Sequence, residues 1–341
     1  MKILIIRFSS IGDIVLASPV VRCVAMQRQA EVFFLTKSSF AAIPAALPHV
    51  KKVYALGAPP AVVHDRVRCE TSFDALLDLL KTEVFDYIID LHHNLRSYRV
   101  KRALKRPSFA YNKLNIEKWL LVHLHINRLP NVHIVDRYMQ TVAPLMVHYD
   151  GQGLDFPIPV SVSTATEAIL SEKWPVLLRQ PFVAFVIGAT HATKRLPLSK
   201  IIAIAGKITV PVALLGGPDE AVQGRKIAES VPNAINLCGE LSLWQSAEMI
   251  RRSVHVITHD TGLMHIAAAL HKPVVSIWGN TVPEFGMYPF YPEGMSLHTT
   301  VEVKGLPCRP CSKIGSNHCS QGHFRCMYDI PTDEVIRQIQ A

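Results

Sequence analysis

Residues 1–22, MKILIIRFSSIGDIVLASPVVR, decide how the chain is read. Lys2 to Ile6 is an apolar run of strand length and Ile14 to Ala25 carries a helical pattern, so Ser9 to Asp13 is the corner between a buried strand and a helix. Open α/β sheets bind ligands at such corners. A dinucleotide site would need G-x-G-x-x-G here, so that backbone could approach a pyrophosphate. This corner has one glycine, Gly12, and then the carboxylate of Asp13. A carboxylate repels phosphate, so the corner is suited to another task.

The same pattern recurs outward along the chain. Strand-like runs at 2–7, 31–36, 52–55, 86–90 and 107–110 alternate with helix-like runs, and a second series follows at 182–187, 210–215, 254–258 and 273–277. This alternation predicts an α/β fold of two Rossmann-like halves, each a parallel sheet flanked by helices. Between them YDGQGLDFPIPVSVST, at 149–164, loses helical periodicity and gathers Gly, Pro and Ser, which places the boundary near 155 and the domains at 1–155 and 156–341. A chain of 341 residues, 49% hydrophobic and 18% charged, is long enough for two full cores and is neither disordered nor fibrous in composition. The start MKILIIRF has too few apolar residues for a signal-peptide core, and no run nears the about 20 needed to span a bilayer. A cytoplasmic protein is expected. The net charge of +9 lies mostly in residues 1–155, which favours an anionic partner: nucleic acid, a membrane surface or a phosphorylated substrate.

The stretch VHVITHDTGLMHIAAALHKPVVSIWGNT, at 254–281, is the sharper chemical signal. It reads as a strand, the turn Asp260-Thr261-Gly262, an apolar helix from Leu263 to Leu270, and the next strand. The open N–H groups of that helix, behind Gly262, form an anion site. Asp260 would repel a phosphate and is assigned to capping the turn or to a ligand hydroxyl or amide. His265, on the first helical turn, is either within reach of phosphate or sugar or a satisfied structural histidine. NLRSYRVKRALKR, at 94–106, carries six basic residues and no acid. At helical spacing Arg99, Arg102 and Arg106 share one face and Lys101 and Lys105 the next. This is a solvated face or a dock for anions; without a recognised motif or interleaved aromatics, nucleic acid is not expected.

SSIGDIVLASPV at 9–20, DLHHNLRS at 90–97, HDTGLMHIAAAL at 259–270, PVVSIWGNTVPEFGMYP at 273–289 and the Cys-rich end CRPCSKIGSNHCSQGHFRCMYDI at 308–330 together resemble the lipopolysaccharide heptosyltransferase family, glycosyltransferase family 9. The resemblance implies the GT-B architecture, two Rossmann-like domains facing across a cleft, the first binding the acceptor and the second the nucleotide sugar. It also implies transfer of heptose from ADP-heptose with inversion. Asp13 is then the general base for the acceptor hydroxyl, with Ser10 and Gly12 beside it. Thr190, Thr193 and Lys194, in FVIGATHATKRLP, face the diphosphate; Glu220 meets the ribose hydroxyls and Leu241 packs on adenine. Asp260, Thr261, Gly262 and His265 complete the donor side. Arg96, Arg99 and Arg102 dock the phosphates and carboxylates of a Kdo-containing inner-core acceptor, which implies a peripheral place on the cytoplasmic face of the inner membrane. No D-x-D occurs in the chain, so transfer without a metal is expected. Two other readings of the same residues are a sugar-nucleotide epimerase or hydrolase of GT-B fold and a non-catalytic nucleotide-binding module.

Four of the seven cysteines are spaced Cys308-x2-Cys311-x7-Cys319-x6-Cys326. The first pair has the spacing of half a zinc knuckle, but the second pair departs from it, and the resemblance accounts for a Cys-rich end without metal. Reduced, packed thiols are therefore preferred to a structural zinc held by these cysteines, with His318 or His323 as substitute ligands.

Overall fold

The structure, a computed structural model, describes residues 1–59 and 64–340. Its first unit comprises Met1–Lys113 and Val132–Pro157. Six strands form one parallel sheet: β1 (Lys2–Ile6), β2 (Glu31–Lys37), β3 (Val50–Leu56), β4 (Val67–Glu70), β5 (Tyr87–Asp90) and β6 (Ser108–Ala110), in the order β4-β3-β2-β1-β5-β6. Ile3, Leu4, Ile5 and Ile6 of β1 are all fully buried, because a central parallel strand is covered on both faces and so reads as a continuous apolar run. Its register sets Ile6 beside Leu35 on one side and Asp90 on the other.

The second unit comprises Leu114–Asn131 and the chain from Ile158 onward. Its strands are β7 (Val183–Val186), β8 (Val212–Leu215), β9 (Ala234–Asn236), β10 (His255–His259), β11 (Val274–Trp278) and β12 (His298–Glu302), ordered β12-β11-β10-β7-β8-β9 and again parallel. Val183, Phe185 and Ile257 pack with Ile201, Ile204 and Ile227 on one face, while Ala184, Val186 and Val256 pack with Met264 and Ala267 on the other. These are the two parallel sheets of the expected α/β fold.

Several details differ from the sequence reading. The helix expected from Ile14 to Ala25 is two helices, Ile11–Val15 and Ser18–Arg28, with Pro19 near the start of the second, where its missing N–H is tolerated. Asp13 therefore sits inside a first helical turn and not in a loop. Gly12 is a buried residue of that helix and lies outside the positive-φ glycines. Strands β4, β9 and β12 were not anticipated; each stands at a sheet edge and is only partly buried, so none carries an apolar run. The basic helix ends at Leu104 with Lys105 in a left-handed cap, which leaves Arg106 outside it and off the shared face. The division falls at Pro157, and 114–131, expected with the first domain, belongs to the second unit. Its helix Asn115–Leu124 is anchored there by Leu121 against Val282 and Phe285. Residues 132–157 return to the first unit, where Arg22 pairs with Asp150 at 2.7 Å and also with Asp155.

Candidate active site

In each sheet the strand order reverses once, between β1 and β5 and between β7 and β10. The loops leaving these strands diverge, and the crevice between them is where open α/β sheets bind ligands. Most of the candidate residues gather at these two places, while Glu220 and Leu241 follow β8 and β9.

In the first unit, Asp13 Oδ1 lies 2.6 Å from Arg7 Nη2. Its other oxygen accepts from the Ser10 N–H at 3.1 Å and the Ser10 hydroxyl at 2.9 Å. Burial pushes the Asp13 carboxyl up, but the Arg7 guanidinium and the two Ser10 bonds outweigh it and hold the group below the usual carboxylate range. Arg7 is buried, and its ring neighbour is Tyr138, 5.9 Å from the guanidinium carbon to the centroid. From β5, the fully buried Asp90 accepts from the His92 and His93 N–H groups and pairs with Lys101 at 2.9 Å. His92 stands edge-on to Phe8, and burial, with Arg7 next in effect, pushes its pKa down to about 4. Its imidazole is therefore neutral near pH 7.

Of the basic helix Leu95–Leu104, Lys101 is thus turned inward to Asp90. Arg96 lies over the Phe8 ring at 5.4 Å and Arg99 over Phe73 at 4.5 Å, with Asp74 3.4 Å from Arg99. Arg102 is exposed.

In the second unit, Lys194, in the turn Ala192–Lys194 after β7, reaches Asp260 Oδ2 after β10 at 2.5 Å. The Thr281 hydroxyl donates to the same oxygen at 2.9 Å. Thr261 is the N-cap of the helix Gly262–Ala269, so Asp260 and Lys194 stand at its positive end. His265 is buried on that helix, Thr190 is exposed, and Leu241 packs against the apolar core that holds Met264 and Trp278. His259 at the end of β10 accepts from the Leu196 N–H at 3.1 Å, tying the Lys194 loop to β10; burial pushes its pKa down to about 4, which keeps that nitrogen an acceptor.

Two residues expected to touch the donor are otherwise engaged. The Thr193 hydroxyl donates to the Ser316 carbonyl at 3.0 Å and accepts from the Ser316 N–H at 2.9 Å, which commits its proton and one lone pair to the Cys-rich segment. Glu220 is buried, with one oxygen 3.1 Å from Arg195 and the other accepting from the Gly217 N–H at 2.9 Å, so it braces the loop. Gly188 permits this, because a Cβ there would fall 2.8 Å from the Glu220 carboxylate.

The sequence profile of glycosyltransferase family 9 (heptosyltransferase) matches residues 74–318. The chain belongs to that family. Among relatives, lipopolysaccharide heptosyltransferase 1 of Pseudomonas aeruginosa is 26% identical over 357 aligned residues, covering 98% of this chain and 93% of its own. Among solved structures, the family 9 glycosyl transferase of Veillonella parvula superposes with a TM-score of 0.75 at 17% identity, covering 99% of this chain and 96% of its own. The E. coli ADP-heptose lipopolysaccharide heptosyltransferase II superposes at 0.71 and 19% identity, covering 100% and 98%. The fold of this family 9 glycosyltransferase is thus the GT-B type.

The sequence reading did not single out Arg7, His259, Thr281 or Arg309. Arg7 carried a usable signal, a charge at the carboxyl end of an apolar strand, six residues before Asp13. Arg309 sits inside the cysteine motif, between Cys308 and Cys311. Its guanidinium donates to the Gly279 carbonyl at 2.5 Å and the Thr281 carbonyl at 3.0 Å and pairs with Glu302 at 2.5 Å, so it clamps the loop that carries Thr281. The cysteines form no disulfide, Cys308 Sγ lies 3.7 Å from His323 Nε2, and among the described residues no three His, Cys, Asp or Glu side chains are gathered as a metal ion would require.

The depressed Asp13 carboxyl makes a signed prediction. Its stabilisation is fully present above the unfolded carboxylate pKa of about 3.9 and is lost as pH falls through the lower folded value. The stability gap between the protein and its Asp13→Asn variant, measured by urea denaturation, should stay constant from pH 7 to about 5 and shrink below about pH 4. A gap that is unchanged at pH 3 counts against the pairing.

Proposed function

We propose that this glycosyltransferase transfers heptose from ADP-heptose to a Kdo or heptose hydroxyl of an anionic lipopolysaccharide inner-core acceptor, with inversion and without a metal. The observation that carries the reading is the Lys194–Asp260 pair at the start of the helix Gly262–Ala269, at the switch point of a unit in a heptosyltransferase-family chain. Support for the donor comes from the similar E. coli enzyme, whose name specifies ADP-heptose and lipopolysaccharide. The absence of D-x-D from the sequence supports metal-independent transfer.

In this reading the acceptor oxygen attacks the anomeric carbon from the face opposite the diphosphate. The bond from that carbon to the diphosphate oxygen breaks, and the acceptor proton passes to Asp13. The helix N-terminus and Lys194 stabilise the charge that develops on the departing ADP, an effect that grows toward the transition state. Thr190, Thr261 and Gly262 line the donor side, with Leu241 toward the base. Ser10 orients Asp13, and Arg96, Arg99 and Arg102 meet the anionic acceptor.

We place the enzyme on the cytoplasmic face of the inner membrane, bound peripherally. Among the described residues no helix is long and apolar enough to cross a membrane. Exposed Ile116, Trp119, Leu124 and Ile126 on and after the helix Asn115–Leu124, together with Lys118 and Arg128, support contact with an anionic lipid surface.

Incubation with ADP-heptose and a Kdo-lipid A acceptor in excess EDTA tests the reading, and sugar transfer is expected. Donor consumption without acceptor would point to an epimerase or hydrolase, and binding without turnover to a non-catalytic module. Asp13→Ala should lower kcat by about 10²–10⁴ with the ADP Kd unchanged; wild-type turnover would remove Asp13 from the mechanism. Lys194→Ala should weaken ADP binding and turnover together, and an unchanged Kd by calorimetry would overturn the loop assignment. Reversing Arg99 and Arg102 to Glu should raise the acceptor KM, spare the donor KM, and lose its effect as salt is added, because exposed charges are screened over about 8–10 Å. An unchanged acceptor KM at low salt would make this a solvated face.

A further inference from the structure

We infer that Arg7 is the positioning residue for Asp13, holding the carboxylate ionised and aimed in the first unit's crevice. The inference rests on the reading of Asp13 as the base. All three guanidinium nitrogens of Arg7 are engaged: Nε donates to the Ser9 carbonyl at 2.6 Å, Nη1 to the Leu91 carbonyl at 2.5 Å, and Nη2 reaches Asp13 Oδ1 at 2.6 Å. Ser9 and Leu91 lie on the loops leaving both central strands, β1 and β5, and Asp13 on the helix that follows β1. One planar fork therefore sets the spacing of the two loops and the orientation of the carboxylate together. A lysine, with a single nitrogen on a flexible stem, cannot reproduce three bonds in fixed directions.

The surroundings explain why a cation is required. Near Asp13 stand Tyr111 beyond β6, Tyr138 of the helix Ile134–Met139 and His92 after β5, while Arg137 lies by the two tyrosines and Lys113 and Asp90 by His92. Burial alone favours the protonated acid, which cannot accept a proton. Tyr138 is fully buried, with its ring beside the guanidinium, and His92 is held neutral, so neither supplies the missing positive charge. Ser10 supplies two hydrogen bonds but no charge. Arg7 is the group in direct contact that keeps the carboxylate deprotonated at working pH.

The test is the pH profile of kcat/KM for sugar transfer by the full chain. Arg7→Gln should move the acidic limb up by about 1 pH unit or more, the displacement expected when a neighbouring opposite charge is removed, with the ADP Kd unchanged. Arg7→Lys keeps the charge and loses the fork; its limb should stay near that of the wild type while kcat falls, and it carries the test if the Gln variant does not fold. A residue that only supported the fold would lower activity equally at all pH values. An unmoved limb in Arg7→Gln, or a limb in Arg7→Lys displaced as far as in Arg7→Gln, overturns the proposal. Asp13→Asn separates the two failures. If that variant is inactive while Arg7→Gln leaves the limb unmoved, only the Arg7 role falls; if it retains the wild-type profile, the base reading itself falls.

Discussion

Every strand of a parallel sheet points its carboxyl end toward the same edge, and every connection must cross back over a face of the sheet. All loops that leave the strands therefore crowd one edge, and where the strand order reverses, two neighbouring loops part and leave a crevice. The β1/β5 and β7/β10 borders are the two such places in this protein. Arg7, Ser10, Asp13, Asp90 and His92 come from the first border, and Lys194, His259, Asp260 and Thr261 from the second. The apolar central strands are rigid because both faces are buried, and this rigidity is what holds short polar loops in place.

Each border carries a carboxylate paired with a cation, yet the two pairs differ in kind. The Arg7 guanidinium is fixed by three acceptors at once, and its charge cannot leave Asp13 without breaking contacts to both loops. Lys194 is a point charge on a flexible stem, held by Asp260 alone among its closest contacts, while Thr281 independently fixes the same carboxylate oxygen. The first arrangement fixes its cation in three directions; the second leaves its cation on a flexible stem while Thr281 still holds Asp260.

The loops after β7 and β8 hold no more than a short 3-10 turn each, and of the residues that brace the loops only Thr193 and Glu220 were assigned from the sequence, both to the donor. Glu220 and Arg195 tie the loop after β8 to that after β7. Ser316 fixes Thr193, and Arg309 fixes the carbonyls on either side of Asn280. The Cys-rich segment thus braces the loops after β7 and β11 through its backbone and one arginine. This gives it a structural task that does not call on its thiols.

What the sequence by itself determined was the α/β repeat, the central strands of both sheets and the two corners where polar residues meet the ends of apolar runs. Those signals are local: a strand buried on both faces is apolar throughout, and a helix start shows its cap and glycine within a few residues. The edge strands β4, β9 and β12 escaped because half-exposed strands need no apolar run. Only the tertiary structure decided that 114–131 joins the second unit, that Lys101 turns inward to Asp90, and which partners Thr193 and Lys194 have. Lys194 and Asp260 are 66 residues apart in the chain, Arg7 and Leu91 are 84, and Thr193 and Ser316 are 123. No local pattern encodes such pairings, because their geometry exists only once the packed sheets have brought distant loops to a common edge.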